Sequence, residues 1–445
     1  MRMTLDLLQV LASLLAGIAV IILLTAKYRV HAFFALFLAC FVTGLGVQLP
    51  VAGILTAMKE GFGNMMRSLG FIIALGTTLG LLLEHSGSTR VMAASILRLV
   101  GERYAAVAMN ITGIIVGLPV FCDSGYIVLS GLNQSLARRT HTPVVIMSAS
   151  LASGLYAMHC LIPPHPGATA AAGVIGADIG RLILTGILVA VPAALVGCWW
   201  AHAAGRKIPA AQQEADTAAT AEAGPAPSVA MAFIPVIVPI ILIAAGAFIS
   251  AGDGDGSWRR VLHILGDPVA ALSAGVLLAF AGIRREKRQA TGPLLQEAVE
   301  KAGSILVITG AGGAFGAVLA ATRLGPLISQ ALPLDSLGLL FPFLVAALLK
   351  TAQGSSTVAI ITAASIVQPL LPALGLSGPG GQLLCILSLG AGSMTLSHAN
   401  DSYFWVISRF SGLGMKPMLK VYSLATLWMG LTSLAIIYIL SLFLQ

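Results

Sequence analysis

A chain of 445 residues that is 57% hydrophobic and 9% charged, with mean hydropathy +0.94, lies far from soluble globular domains, which carry about 25% charged residues. Its formal net charge of +8 is gathered in short basic clusters between apolar runs, so it orients the chain in a bilayer and does not point to nucleic acid as a partner. The runs are long rather than alternating, which excludes a β-barrel and leaves an all-α polytopic membrane protein.

Leu5–Ala26 reads as a first span and His31–Leu49 as a second, separated by Lys27-Tyr28-Arg29. Val51–Ser68, with Lys59, Glu60 and Arg67, reads as a surface helix, and Leu69–Leu83 as the third span. Glu84–Glu102 carries Arg90 and Arg98 along an apolar stretch and also reads as interfacial. Two apolar arms follow, Tyr104–Phe121 and Tyr126–Ala137, each short against the roughly 20 residues a helix needs to cross. Arg103 precedes them and Arg138-Arg139 follows, so entry and exit share one face. This predicts a re-entrant hairpin over residues 104–138 with its tip at Cys122-Asp123-Ser124-Gly125. Thr142–Leu161 then enters, breaks at Pro163–Gly167 and resumes, a discontinuous helix over 142–178. Arg181–Ala204 spans back, closing a first half over residues 1–203.

Residues 204–229 form a polar, Ala/Pro-rich linker. From 230 to 445 the plan repeats. Met231–Ser250 spans, Gly252–Trp258 is a Gly/Asp loop, and Pro268–Ile283 and Gly303–Ala321 span. Leu337–Leu349 and Ser356–Leu371 are the arms of a second hairpin over 335–371, tipped at Lys350–Ser355. Gln382–Ser397 enters, breaks at His398–Asp401 and resumes, a second discontinuous helix over 382–408, and Lys420–Leu444 is the last span.

Placing the basic clusters Lys27/Arg29, Arg98/Arg103, Arg138/Arg139, Arg206/Lys207, Arg284–Arg288 and Lys416/Lys420 in the cytoplasm orients every span without conflict. Arg259, Arg260 and Arg323 are left on the outer side. The second half then has the first half's pattern turned over: an inverted-topology repeat of about ten transmembrane helices plus two re-entrant hairpins, with both termini outside. The first hairpin enters from the cytoplasm and the second from outside.

Broken helices survive at membrane depth only where protein or a cavity surrounds them, and paired breaks in the two halves mark a transporter's substrate site. Asp123 sits at the first tip beside Ser124 and Gly125. A carboxyl at that depth implies function, although Asp-Ser-Gly also opens helices well. His159 and His165 flank Pro163-Pro164; His165 lies inside the break as a ligand or proton contact, and His159, a turn earlier, reads as a packing residue. The resumed helix points its N-terminus at the break, a favourable place for an anion. Gly354, Ser355, Ser356 and Thr357 bring flexible backbone and three hydroxyls to the start of an arm, suited to a carboxylate or polyol. Lys350 is either a counter-charge for the substrate or a side chain snorkelling to the interface. His398, Asn400 and Asp401 break the last repeat helix with a polar set that packing does not explain. Asp123, His165, His398 and Asp401 are the proton-coupling candidates.

No phosphate-binding loop, dinucleotide fingerprint, HExxH or CxxC pair occurs, so no cofactor is expected and energy comes from an ion gradient if coupling exists. Cys40, Cys122, Cys160, Cys198 and Cys385 lie in apolar segments without metal-ligand spacing and read as small packing residues; no metal is expected. Sodium held by unwound carbonyls is the alternative coupling ion, in a symporter of a small hydroxy or amino acid. A passive channel and an intramembrane hydrolase built on His165, His398 and Asp401 are remote alternatives, the latter lacking a nucleophile beside a base.

The polar blocks resemble those of the gluconate permease family, within the ion transporter superfamily. GLPVFCDSGY is similar to that family's GLPVF-x-D-x-G block, PPHPGATAAA to PPHPG-x-x-A, AQGSSTVA to AQGS-x-TVA, and LSHANDSYFW to S-H-x-N-D-x-x-FW, in the same order. The resemblance implies a proton-coupled importer of small carboxylates, typically sugar acids such as gluconate, in the multi-pass bacterial inner-membrane setting. It also implies a homodimer, and a scaffold holding a mobile unit of hairpins and broken helices that moves as an elevator. Asp123 or a His165/His398/Asp401 group would carry the proton, with Ser355–Thr357 and Asn400 holding the anion. The chain departs from the family at Cys122 and Ser124, where bulkier apolar residues are usual, and at Ala168, where proline is common. Relatives take other hydroxy or amino acids, and these departures sit beside the expected site.

Overall fold

The computed structural model describes residues 2–208, 227–249, 257–283, 291–322, 337–398 and 401–444, and every described element is helical. The first half runs through α1 (Arg2–Ile22), α2 (Ala32–Gly46), α3 (Val51–Ser86), α4 (Ser88–Val100), α5 (Ala105–Val116), α6 (Cys122–Arg139), α7 (Val144–Leu161), α8 (Pro166–Ile175) and α9 (Ile179–Gly205). The second continues with α10 (Val229–Ile249), α11 (Ser257–Gly266), α12 (Pro268–Gly282), α13 (Thr291–Ala321), α14 (Leu340–Gln353), α15 (Ser356–Val367), α16 (Pro379–Met394), α17 (Ser402–Ser411) and α18 (Met415–Leu444), the last through a π-helical turn at Leu419–Ser423.

Helix starts follow local chemistry. The Asp178 carboxylate accepts from Arg181 N at 2.6 Å to open α9, and Asp267 accepts from Val269 N at 2.8 Å to open α12, with Pro268 in its first turn. Gly87, Gly176 and Gly412 end α3, α8 and α17 in the left-handed conformation that a side chain disfavours.

Among the described residues seven helices are long and apolar enough to cross a bilayer, eight if α4 and α5, bent by 112° at their junction, form one broken span. α2, α12, α14 and α15 are shorter apolar helices. α7 and α8 lie in one 32-residue stretch, Val144–Ile175, interrupted at residues 162–165 and largely buried in protein.

Three boundaries differ from expectation. Val51–Ser86 is one 36-residue helix, not a surface helix followed by a span. No proline interrupts its hydrogen-bond ladder, and Lys59 and Glu60 stay exposed on its surface. At about 1.5 Å per residue it is roughly 54 Å long, so it extends well beyond the ~30 Å hydrocarbon core. α13 likewise starts at Thr291 rather than Gly303. Ser257 and Trp258, expected in a loop, open the amphipathic helix α11, while residues 250–256 of that loop lie outside the described residues. So do 209–226 of the linker and residues 335 and 336 at the start of the second hairpin.

The packing is duplicated. α1 packs on α2 and α10 on α12; α2 packs on α13 and α12 on α3. α5 packs on α7 and α14 on α16; α7 packs on α9 and α16 on α18. The long helices α3 and α13 lie against each other so closely that a Cβ on Gly313 would come 2.7 Å from the Gly61 carbonyl oxygen. Asn110 of α5 donates to Ser150 O at 2.8 Å and Ala194 O at 3.1 Å, tying α5, α7 and α9 together. Across the halves, α8 packs on α15 and α17 on α6, which brings all the chain breaks to one place. The five cysteines are free and buried, as packing residues should be.

Candidate functional site: a cavity at the helix breaks

Each break has a local cause. The tandem Pro163-Pro164 offers no N–H to continue α7, and Pro166 then starts α8 with its backbone angle already set for a helix. Gly354, at φ 80°, ends α14, and the Ser355 hydroxyl accepts from Val358 N at 3.3 Å to cap α15. The Asp401 carboxylate accepts from Tyr403 N at 3.0 Å to cap α17. α6 opens after Phe121 without a side-chain cap, and Asp123 lies in its first turn. The first tip is thus the non-helical stretch Gly117–Phe121, with the Cys122–Gly125 segment expected there already helical.

These starts line one cavity of about 460 Å³. Phe121, Cys122, Asp123 and Ser124 come from the start of α6, Pro166 from α8, Ser355, Ser356, Thr357 and Val358 from α15, and Asp401 and Tyr403 from α17. Tyr156 and His159 of α7 complete that side. The opposite wall is a stripe of α13: Lys301, Ser304, Ile305 and Ile308, at the i, i+3, i+4, i+7 spacing of one helix face. So the N-termini of α6, α8, α15 and α17, two from each half of the chain, converge on one space. Each helix start carries roughly half a positive elementary charge, which suits an anion, although Ser355 and Asp401 already take one N–H each at α15 and α17 and Pro166 has none to offer at α8.

The two carboxylates in the wall are treated differently. Asp401 is buried and fully engaged: Lys350 Nζ lies 2.5 Å from its Oδ2, Ser397 Oγ donates to the same oxygen at 2.5 Å, and Tyr403 N donates to Oδ1. Lys350, 1% exposed, also donates to Gly354 O at 2.9 Å. It is therefore neither at the interface nor a counter-charge facing the cavity, the two readings its sequence position suggested. Asp123 has a buried Oδ1 without a hydrogen-bond partner among the described residues. His159 also has an Nδ1 unpartnered among the described residues, while its Nε2 faces Thr357 Oγ1 at 3.4 Å, a polar link between α7 and α15.

Of the residues singled out in the sequence, Asp123, Ser124, Ser355, Ser356, Thr357 and Asp401 line the cavity. His165 does not. It is 2% exposed, and because a carbonyl only accepts, its Nε2 donates to Gly117 O at 2.5 Å, pinning one break to the other. Gly125 packs behind the wall, where a Cβ would come 2.9 Å from Leu155. Gly354 contributes its carbonyl to Lys350. His398 is partly exposed and outside the lining, and Asn400 lies outside the described residues. Sequence reasoning treated His159 as packing and passed over Tyr156, Tyr403 and the α13 stripe. The stripe had a signal, the helical spacing of Lys301, Ser304, Ile305 and Ile308, but it straddles the point where the apolar run begins.

Apolar helices in this number, with two pairs of breaks meeting around a buried polar cavity, define a multi-pass membrane permease. The chain belongs to the GntP permease family: the family model described as GntP family permease matches residues 9–443. It is similar to a gluconate permease of Pseudomonas aeruginosa, 34% identical over 97% of each chain, and to the D-serine transporter DsdX of Escherichia coli K12, 30% identical over 97% of this chain and 98% of that one. Its fold is similar to that in the crystal structure of the Alcanivorax borkumensis YdaH transporter, at TM-score 0.62 and 17% identity, covering 89% of this chain and 90% of that one. The relatives are named permeases and transporters, so the chain is a permease and not an enzyme.

Proposed function

We propose that this permease is a secondary active symporter that imports a small carboxylate of the sugar-acid class, gluconate or a close relative, across the bacterial inner membrane with a proton as coupling ion. The observation that carries the reading is the meeting of the α6, α8, α15 and α17 N-termini around a cavity of about 460 Å³, large enough for one small polyhydroxy acid. Hydroxyls at Ser124, Ser355, Ser356 and Thr357 offer partners for a polyol chain. Asp123 supplies the coupling. An ionised carboxylate and an anionic substrate repel each other in a space of low dielectric, so a proton on Asp123 favours the loaded state and the loaded state favours the proton. His165, His398 and Asp401 are weaker candidates, the first and last because their polar atoms are already engaged.

The duplicated packing supports an inverted-topology repeat over residues 1–203 and 230–445, and α3 with α13 is the natural frame. Against that frame the hairpins and broken helices would carry the cavity as an elevator does. A homodimer rests on the family likeness alone. No cofactor is required. A second reading is sodium-coupled transport of a hydroxy or amino acid; the D-serine relative supports its substrate class. Uptake of labelled gluconate and of D-serine into proteoliposomes, under an imposed proton or sodium gradient, decides between them. Accumulation of neither under any gradient overturns the proposal.

A further inference from the structure

The cavity has one cation of its own, and that cation stands on the frame rather than on the broken helices. Lys301 is the only Lys or Arg among the described lining residues. Its Nζ lies 2.7 Å from Glu297 Oε1 one turn back on α13, with the two side chains 40% and 50% exposed. An exposed pair of this kind contributes little to stability, so it exchanges readily for another carboxylate. Lys350, by contrast, is locked in a pair with both side chains buried.

Where Lys301 sits in the membrane follows from the charge pattern. α13 starts just after the basic run Arg284–Arg288, and its apolar part begins near Gly303. Glu84, close enough to Lys301 and Glu297 to feel their charges, is in the last turn of α3, just before Arg90, Arg98 and Arg103. Basic clusters face the cytoplasm. The half-exposed Lys301–Glu297 pair therefore marks the cavity's mouth, and the mouth is cytoplasmic.

We infer that the structure is an inward-open state and that Lys301 is a state-specific binding residue, which leaves Glu297 to take the substrate carboxylate at the cytoplasmic mouth. This rests on the reading of the site as one for a small carboxylate. The stripe Lys301, Ser304, Ile305 and Ile308 belongs to the frame, so the substrate meets it on the inner side and parts from it when the broken helices carry the cavity outward.

The test is exchange measured from each face of oriented proteoliposomes, with gluconate and D-serine as probes. The unmodified protein must first exchange one of the two; exchange of neither overturns the carboxylate reading and this inference with it. Given exchange, Lys301→Gln is expected to raise the half-saturating concentration at the cytoplasmic face about tenfold, the loss of one charge-assisted contact. The shift at the outer face is expected to stay below about twofold. Lys301→Arg is expected to restore most of the inner-face affinity, and Glu297→Gln to tighten it by releasing Lys301. Equal shifts at both faces, or none at the inner face, would refute the assignment. Because Lys301 is half-exposed, the variant folds without a buried contact to lose, and an unchanged unfolding temperature checks that.

Discussion

Each half of the chain brings one carboxylate to the cavity, Asp123 from the start of α6 and Asp401 from the start of α17, and the two are held oppositely. At the break of the second discontinuous helix Asp401 has Lys350, Ser397 and the α17 backbone as partners, an arrangement that fastens the end of α14 to the start of α17. In the first turn of α6 Asp123 faces the same cavity with an oxygen left unpartnered among the described residues. Removing either member of that satisfied buried pair strands the other. The Asp123 oxygen has cavity space beside it and no such contact to lose. One carboxylate is thus a clasp between α14 and α17, and the other stands beside the cavity without a partner among the described residues.

The comparison breaks most sharply at Asp123. Asp123→Asn is expected to abolish accumulation driven by a pH gradient while moving the unfolding temperature by less than ~2 °C, because no partner is lost. Uptake assays paired with thermal unfolding in detergent read both, and full proton-driven uptake would reverse the two roles. Next comes the clasp. Lys350→Met is expected to lower stability by about 3–5 kcal/mol, since it leaves the Asp401 carboxylate buried without its cation, and adding Asp401→Asn should recover part of the loss. A single variant as stable as the parent in denaturant unfolding would mean that the pair fastens nothing.

The duplicated packing can be sharpened in the same way. A Cβ on Gly154 would run into the Asn110 carbonyl oxygen of α5, and one on Gly392 into the Phe343 carbonyl oxygen of α14. Gly154→Ala and Gly392→Ala should each cost about 1–3 kcal/mol by forcing apart a helix pair, and unequal losses in unfolding experiments would show that the halves have diverged. The smallest effect is at the cap: Ser355→Ala should cost about 1 kcal/mol, with a matching rise in hydrogen exchange over the first turn of α15.

Much of this was legible because breaks in lipid are conspicuous. Pro163-Pro164, Gly354 and the polar run at 397–402 interrupt apolar stretches, and the structure breaks at or within a few residues of each. What escaped has a common cause, the distance over which the chain folds back. Lys350 looked like a lone cation because its partner is 51 residues away. Lys59, Glu60 and Arg67 looked like the edge of a membrane, yet charge does not end a helix whose backbone ladder is intact, and α3 continues through them. His159 seemed a packing residue because nothing in its own helix shows Thr357 across the cavity.

The convergence of four separate helix starts has a consequence for biogenesis. No single stretch of polypeptide supplies the whole cavity wall; residues near 122, 166, 356 and 402 must all be inserted and docked before the cavity is complete. A nascent chain that has emerged only as far as α9 would be blind to its cargo. Two fragments divided in the linker and co-expressed would regain affinity only by finding each other in the bilayer, so cargo added to cells or detergent extracts would act as a pharmacological chaperone for the finished protein alone.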